Sequence, residues 1–382
     1  MKNIVRNLTT LSCVASSAFA APFLAIGDNA ELFAIADLRA AYNDNILLAP
    51  SGPDEDEDTV VTFVPGFDLV YGKDSLLKGN LVGTATLTSY SDNSELNNQL
   101  LAIAANSSYE SASLSLNAFA SFKELDQATV DVLPGAFGRL VERHIASVGV
   151  NGEYAFSEKI SLGSGVSYNH VDYKDPNYTE QEDYTVPVNV YYELTPKVDI
   201  SAGIRYVNTQ LDTGIEYDAF YYNVGARGSF TPKLSGAFSV GYNTRDASGP
   251  GAVDDDGSIG ADASLSYAYS DKTQFTLSLA RNYTNSASGG ASYENTQVTL
   301  GASNAITVDW RLNASITYRT LDYQNVVPSR TDDYIEGSIG ATYIINSHLS
   351  ASLSYLYREN TSDVAGSEFS NNVVSLSLSA RY

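Results

Sequence analysis

Residues 195–206 read TPKVDISAGIRY, and residues 231–242 read TPKLSGAFSVGY. Each stretch begins with a Thr-Pro-Lys turn and ends on a tyrosine, and most alternate positions between the two are apolar. A period of two is the pattern of a β-strand that has one apolar and one polar face. The two stretches therefore predict two strands of the same kind, each entered through a tight turn.

The turn recurs through the second half of the chain, where related sequences begin at positions 157, 195, 231, 270, 307 and 346. A repeat of this length holds about two strands and their two connections. Longer connections rich in Asp, Asn, Ser and Gly alternate with the tight turns, and two of the predicted ones are 124–139 and 245–257. The pattern predicts an all-β fold, a transmembrane antiparallel up-and-down barrel of about 18 strands, with 16 as the alternative.

The apolar face of these strands has a constant length. In six strands the first apolar residue and a tyrosine lie eight positions apart. Eight residues span about 26 Å along a strand, or about 20 Å of height at a tilt near 40°. This length suits a thin hydrocarbon layer, so we predict that aromatic girdles border a lipid-facing belt, with members Tyr168, Tyr206, Tyr242, Tyr283, Tyr318, Tyr357 and Trp310.

The opposite face carries mostly Ser, Gly, Thr and Asn with isolated charges, which favours a crowded aqueous lumen over the Lys- and Glu-rich surface of a soluble sandwich. Charges of both signs can set a transverse field in a pore, or they can pair and brace the wall. Their near balance argues against strong ion selectivity of the wall, although acidic loops at the mouth favour cations. The predicted pore-lining residues are Arg205, Arg227, Arg311, Arg319, Arg358, Arg381, Glu153, Glu193, Asp199, Asp262 and Glu336.

The first twenty residues have a basic start, an apolar middle and the ending Ala-Phe-Ala, which predicts a secretory signal peptide over 1–20 and a barrel over 21–382. Loss of Lys2 and Arg6 with this leader changes the formal net charge from −23 to −25. So acidic a chain is not expected to bind nucleic acid. The single Cys also lies in the leader, which excludes disulfides and thiolate chemistry in the exported chain.

The last strand has apolar residues at every second position and ends on Tyr382. This ending resembles the C-terminal signal through which the barrel assembly machinery recognises outer-membrane barrels. The stretch 41–47, AYNDNIL, and the C-terminal hairpin 353–382, with its Asn-x-Val before the last strand, resemble the outer-membrane β-barrel porin 2 family. Members are often encoded near exopolysaccharide or exosortase systems. The resemblance implies a bacterial outer-membrane location, contact with lipid and lipopolysaccharide, and a link to polysaccharide traffic.

Two acidic runs in predicted long connections are weak candidates for metal binding. Neither has the alternating ligand spacing of a calcium loop, so a solvated surface loop is the preferred interpretation and no metal or cofactor is predicted. The candidates are Asp54, Glu55, Asp56, Asp254, Asp255 and Asp256.

The longest predicted connection is unusually apolar over residues 130–138. Such a loop could fold into the lumen and narrow it, or pack against a neighbouring barrel. Of the histidines, His348 lies in a tight turn, His144 is predicted to precede a strand, and His170 shares the lipid-facing register. None is expected beside a lumenal serine and carboxylate, so the sequence predicts no enzyme.

The sequence therefore predicts a porin-like channel for passive diffusion of small hydrophilic solutes. Two alternatives remain open at this stage. One is an outer-membrane conduit or anchor of an exopolysaccharide export system, and the other is a structural or adhesive barrel with a closed lumen.

Overall fold

The computed structural model describes residues 22–50, 52, 55–129, 138–250, 252, 255–287, 292–324, 326 and 329–382, with the side chains of 255 and 256 left out. The predicted signal peptide and residues 130–137 of the apolar connection lie outside this part of the chain. Among the described residues no helix is long and apolar enough to cross a membrane.

Eighteen long strands within the described residues form a closed antiparallel barrel, and a short strand β1 (Leu24–Ile26) precedes them. Each long strand pairs with the next, and β19 pairs back onto β2. The predicted all-β barrel of 18 strands is confirmed, and the alternative of 16 is wrong. The long strands are β2 Ala30–Asn43, β3 Asp58–Tyr71, β4 Leu77–Tyr90, β5 Asn98–Glu110, β6 Leu114–Gln127, β7 Val141–Ala155, β8 Ile160–Tyr173, β9 Gln181–Thr195, β10 Val198–Leu211, β11 Glu216–Ser229, β12 Leu234–Ser248, β13 Asp255–Ser270, β14 Thr273–Asn285, β15 Ser292–Ala305, β16 Trp310–Gln324, β17 Arg330–Ile344, β18 Leu349–Ser362 and β19 Phe369–Arg381.

The recurrent tight turn has a common hydrogen-bond pattern that explains its first residue. In the turn at 231, Thr231 Oγ1 accepts hydrogen bonds from the backbone N–H groups of Lys233 and Leu234, at 3.2 and 2.9 Å. The first residue of each of the other five turns accepts the same two bonds. Ser, Thr and Asn are the residues whose side chains can close such a turn.

The outer wall of the barrel is apolar and the inner wall is polar. Leu353 and Leu376, on the outer face of β18 and β19, are 56% and 58% exposed. Their neighbours Ser352 and Ser377 pair across the same two strands on the inner face. This arrangement is the reverse of a soluble protein, and it is the pattern of a barrel surrounded by lipid.

The strands run further than their apolar pattern predicted. Strand β6 continues to Gln127, and the connection predicted as 245–257 shrinks because β12 ends at Ser248 and β13 begins at Asp255. The apolar alternation marks only the lipid-embedded part of a strand. Beyond the tyrosines the outer face is polar, yet the backbone ladder continues.

The N- and C-terminal segments meet at the seam between β2 and β19. Tyr382 and Ala34 exchange two backbone hydrogen bonds of 2.9 and 2.7 Å. Where β19 ends, β1 takes its place beside β2, with Leu24 opposite Leu32. The two segments together cover this edge of β2, which would otherwise present unpaired backbone groups.

The two stretches that carry the family resemblance hydrogen-bond to each other across this seam. The buried Asn371 Nδ2 donates to Asn43 Oδ1 at 2.5 Å and to the Asn45 carbonyl at 3.2 Å. Asp44 accepts from the backbone and side-chain N–H groups of Asn372, at 2.6 and 2.7 Å. We call Asn43, Asp44, Asn45, Asn371 and Asn372 the seam clasp.

Candidate functional site

The end of the barrel that carries the long connections, here called the mouth, has a packed interior. Three apolar clusters lie there, and each joins elements that are distant in sequence. The clusters are Val141, Tyr178 and Ala287 with Tyr173; Leu48, Tyr334 and Phe369 with Ala128; and Tyr293, Leu321 and Tyr323 with Val326.

Connections from separate parts of the wall meet across the mouth. Thr179, between β8 and β9, donates a backbone hydrogen bond of 3.0 Å to the carbonyl of Ala287, between β14 and β15. Ala128, which follows β6, packs against the cluster of Leu48, Tyr334 and Phe369. These contacts run across the opening between separate parts of the wall, so they narrow it. We call them the chords of the mouth. Ala128 precedes the apolar stretch 130–138. The hypothesis that this stretch folds into the lumen concerns residues 130–137, which lie outside the described part of the chain.

A fully buried ion pair stiffens the mouth. Arg330 and Asp332 are 2% and 0% exposed, and Arg330 Nε donates to Asp332 Oδ1 at 2.8 Å. Ser362 Oγ donates to the same oxygen at 2.6 Å, and the guanidinium carbon lies 4.4 Å from the centre of the Tyr323 ring. Both charges are therefore satisfied where water is excluded.

Below the mouth, the predicted lumenal charges lie on the inner face, and three of the six arginines pair with carboxylates. Arg227 Nη1 and Nη2 donate to both oxygens of Glu153, at 2.8 and 2.6 Å, and Nε donates to Asp199 at 3.1 Å. The same guanidinium stacks on the Tyr191 ring at 3.5 Å. This group braces the inner wall from β7 to β11.

Two further arginines have carboxylate partners on other strands. Arg205 Nη1 lies 3.4 Å from Asp262 Oδ2, and Arg381 Nη1 donates to Asp68 Oδ2 at 2.6 Å. Arg381 also stacks on Phe33 at 3.9 Å. Each such pair is locally neutral, so these arginines contribute little net charge to the lumen.

Three further arginines, on strands between β16 and β2, have neutral partners. Arg319 donates to Asn295 Oδ1 at 2.6 Å and to the Tyr293 hydroxyl at 2.9 Å. Arg358 donates to Asn371 Oδ1 through Nε at 2.9 Å and Nη2 at 2.7 Å. Arg39 Nη2 donates to Ser375 Oγ at 2.9 Å. We call Arg39, Arg319 and Arg358 the arginine arc.

Three of the predicted lumenal residues lie outside these groups, and sequence reasoning missed several lumenal charges. Arg311 is exposed near the tight turns, Glu193 lies at the same end of β9, and Glu336 accepts a hydrogen bond from the Tyr334 hydroxyl. Asp37, Arg39 and Asp68 are among the missed residues, and they share the inward register with predicted positions. The alternation in β2 and β3 could have found them, but it was applied only to the later strands.

The predicted girdle residues share the outward register. Several hydroxyls there hydrogen-bond carboxylates one step nearer the mouth: Tyr206 donates to Asp218, and Tyr318 donates to Asp333 at 2.6 Å. At the other border, Trp310 packs on Tyr343 with ring centres 5.0 Å apart. Tyrosine thus places its ring beside the belt and its hydroxyl in polar surroundings.

The acidic runs form no metal centre in the part of the chain that is described, where no three His, Cys, Asp or Glu side chains converge. Asp54 and Asp254 lie outside it, and Glu55 accepts a hydrogen bond from the backbone of Gly52 at 3.0 Å. Asp58, predicted within a solvated loop, is instead 2% exposed and begins β3. Burial alone would raise the pKa of Asp58, but hydrogen bonds donated by residues 91–93 bring it below its ordinary value.

The histidines lie outside the lumen. His144 is within β7, so the prediction that it precedes a strand is wrong; its ring nitrogens lie 3.7 Å from Glu124 and 3.8 Å from Asp172 on the outer face. His170 lies 3.7 Å from Glu182, also outside. His348 Nδ1 lies 3.0 Å from the carbonyl of Arg381 beside a tight turn. Among the described residues, no hydrogen bond or ion pair joins any of the three histidines to a serine.

Comparison with known proteins bears on this barrel directly. Residues 216–382 match the family model "Putative beta-barrel porin 2". This region is similar to the beta-barrel porin 2 family. Of the two stretches that carry the resemblance in the sequence, 353–382 lies within the match and 41–47 lies before it. No curated protein matches the chain.

Solved structures similar to this chain include three bacterial proteins. Acinetobacter baumannii OccAB3 is 13% identical over 94% of this chain and 100% of that one, with a TM-score of 0.48. A BenF-like porin from Pseudomonas fluorescens is 11% identical over 92% and 99%, also at 0.48. The outer membrane protein opdK from Pseudomonas aeruginosa is 12% identical over 92% and 99%, at 0.47.

The porin is located in the bacterial outer membrane. The family match and the apolar outer wall agree on this location, and the predicted resemblance and localisation are confirmed. The barrel sits in the lipid bilayer through its belt, and its polar inner wall faces the lumen.

Proposed function

We propose that the porin lets small hydrophilic solutes diffuse passively through its lumen. The observation that supports this most strongly is the polar inner wall, where Ser, Thr, Asn and charged side chains line a ring of eighteen described strands. At this strand number a barrel encloses an aqueous channel unless a plug fills it. The chords across the mouth restrict the path, so they favour small solutes.

The mouth also bears on the two alternatives. A conduit for polysaccharide needs a path wide enough for a sugar chain, and connections that meet across the opening oppose a wide path. A barrel with a closed lumen would need the mouth contacts to seal it entirely. We therefore place the proposed small-solute channel ahead of both, and we propose no catalytic activity.

A liposome-swelling assay tests the proposal. We expect vesicles that contain the purified porin to swell quickly in an isotonic monosaccharide, more slowly in a disaccharide and hardly at all in a hexasaccharide, because the chords narrow the mouth. Protein-free vesicles are the control. Absence of swelling in the monosaccharide would indicate a closed lumen, and equal swelling in all three sugars would indicate a wide conduit.

A further inference from the structure

The arginine arc points to a binding site within the lumen. We propose that Arg39, Arg319 and Arg358 bind small oxyanion solutes, namely carboxylates or phosphates, as these pass beneath the mouth. The inference rests on the proposed function and deepens it, because it gives the class of solute that the channel retains longest.

The first step is the charge state of the three arginines. A guanidinium remains protonated in proteins, and none of the three forms an ion pair with a carboxylate in the described residues. A neutral oxygen satisfies donors but leaves the positive charge in place. By contrast, Arg227 on β11 and Arg381 at the end of β19 have carboxylate partners.

The second step is the donors that remain. Arg319 and Arg358 each use Nε and Nη2 on Asn or Tyr oxygens, which leaves Nη1 without a described partner. Arg39 uses only Nη2, and its side chain is exposed to the lumen. Planar donors fixed in this way suit the oxygens of a carboxylate or a phosphate, because such anions pair with guanidinium groups through short, charge-assisted hydrogen bonds.

Two carboxylates share this wall but are occupied by hydroxyl groups. Glu336, opposite Arg358 in the strand register, accepts from the Tyr334 hydroxyl at 2.7 Å. Asp37 accepts from Ser379. Three arginines against two carboxylates leave a net positive charge on the arc, and the guanidinium groups point to amide and hydroxyl oxygens instead of to these acids.

The position of the arc suits a solute that has just passed the mouth. Arg319 lies two residues before the buried Leu321, and Arg358 lies two residues before the buried Asn360. The seam clasp orients Arg358, since Asn371 accepts from this arginine and donates to Asn43. The motif residues thus act as positioning residues for the arc.

Asn295→Asp is the most informative variant, because it keeps the shape of the side chain and gives Arg319 a carboxylate partner. The companion variant Arg319→Gln removes the charge itself. Ser278→Asp is the matched control, since it adds one carboxylate on the inner face of the neighbouring β14 without a described arginine contact. Heat-modifiable migration on a gel checks that each variant forms a barrel.

Two measurements read the site. Titration calorimetry of the purified porin in detergent with succinate, with inorganic phosphate and with a neutral monosaccharide measures binding without requiring a channel. Reversal potentials in a KCl gradient measure ion preference in planar bilayers. We expect Asn295→Asp and Arg319→Gln to weaken succinate or phosphate binding roughly fivefold, the effect of one unit charge at contact in water, and to shift ion preference towards cations.

The outcomes are distinct. Binding of succinate, of phosphate or of both that is weakened in the two arc variants and kept in Ser278→Asp supports the site and identifies the preferred oxyanion. Absence of binding by the unaltered porin, or equal binding by all variants, overturns it. Bilayers that stay silent while calorimetry shows the expected losses would instead contradict the proposed channel and leave the binding site standing.

Discussion

Replacement of Leu353 by arginine should prevent most of the porin from reaching its folded, heat-modifiable form. Leu353 lies midway along its strand on the outer face, four residues from both Leu349 and Tyr357, and it is 56% exposed. An arginine on the lipid face near the bilayer midplane costs about 2–4 kcal/mol. The fraction that migrates as folded barrel after refolding into lipid measures the effect.

The neighbouring position supplies the control. Ser352 lies on the inner face and shares only a hydroxyl contact of 3.0 Å with Thr342. Ser352→Arg should therefore fold nearly as well as the unaltered porin, because its new charge meets the aqueous lumen. If both arginine variants folded equally, or if Ser352→Arg were the worse of the two, the assignment of the two faces would be wrong.

Removal of the Asp332 carboxylate should destabilise the mouth strongly. Asp332→Ala leaves the guanidinium of Arg330 charged in a site where both side chains are at most 2% exposed. Loss of one partner of a buried pair costs about 3–5 kcal/mol. We expect faster proteolysis of the connections at the mouth and a lower temperature for loss of the folded band on a gel.

Two variants sharpen this test. Asp333→Ala, one residue away, removes an exposed carboxylate that accepts from Tyr318 and Thr320, and should cost about 1 kcal/mol. The double variant Arg330→Met with Asp332→Leu should recover most of the lost stability, since a well-packed apolar pair can replace a buried ion pair. A double variant as weak as Asp332→Ala would show that packing, and not the loss of the Asp332 carboxylate, limits the stability of the mouth.

The membrane-spanning part of the fold follows closely from the sequence. Alternation between apolar and polar residues predicted the number of barrel strands, and the turn-closing Ser, Thr or Asn marked six of the hairpins. Strand ends were less predictable, because beyond the lipid nothing obliges the outer face to stay apolar. Asp58 illustrates this: in sequence it ends an acidic run, yet in the structure it begins β3 and is buried.

The sequence predicted which charged side chains face the lumen, but not which partners they contact. Register alone put Arg227 and Arg319 on the inner face, but it could not tell that Arg227 meets Glu153, 74 residues away, whereas Arg319 meets the neutral Asn295. Arg227 on β11 and Glu153 on β7 lie four strands apart, where side-chain length and barrel curvature decide the contact. The near-equal numbers of basic and acidic lumenal residues therefore gave no indication that some arginines pair with carboxylates and others with neutral side chains.

The family motif also gains a physical meaning. Asn43 and Asn371 come from opposite ends of the chain, 328 residues apart, and hydrogen-bond at the barrel seam. Asn45 Nδ2 donates a hydrogen bond of 2.9 Å to the carbonyl of Ala49 and so directs the following connection into the mouth. The motif closes the barrel and shapes its opening, which accounts for Asn-rich sequence where the apolar pattern ends.

Single-channel recording of the purified, unaltered porin in a planar lipid bilayer is the most direct test of a polar lumen that conducts through a narrowed mouth. We expect discrete, uniform conductance steps after insertion. Asp332→Ala should give larger or noisier steps, because its mouth is loosened. Folded, heat-modifiable protein that inserts but carries no current would contradict the open lumen and favour a closed, structural barrel.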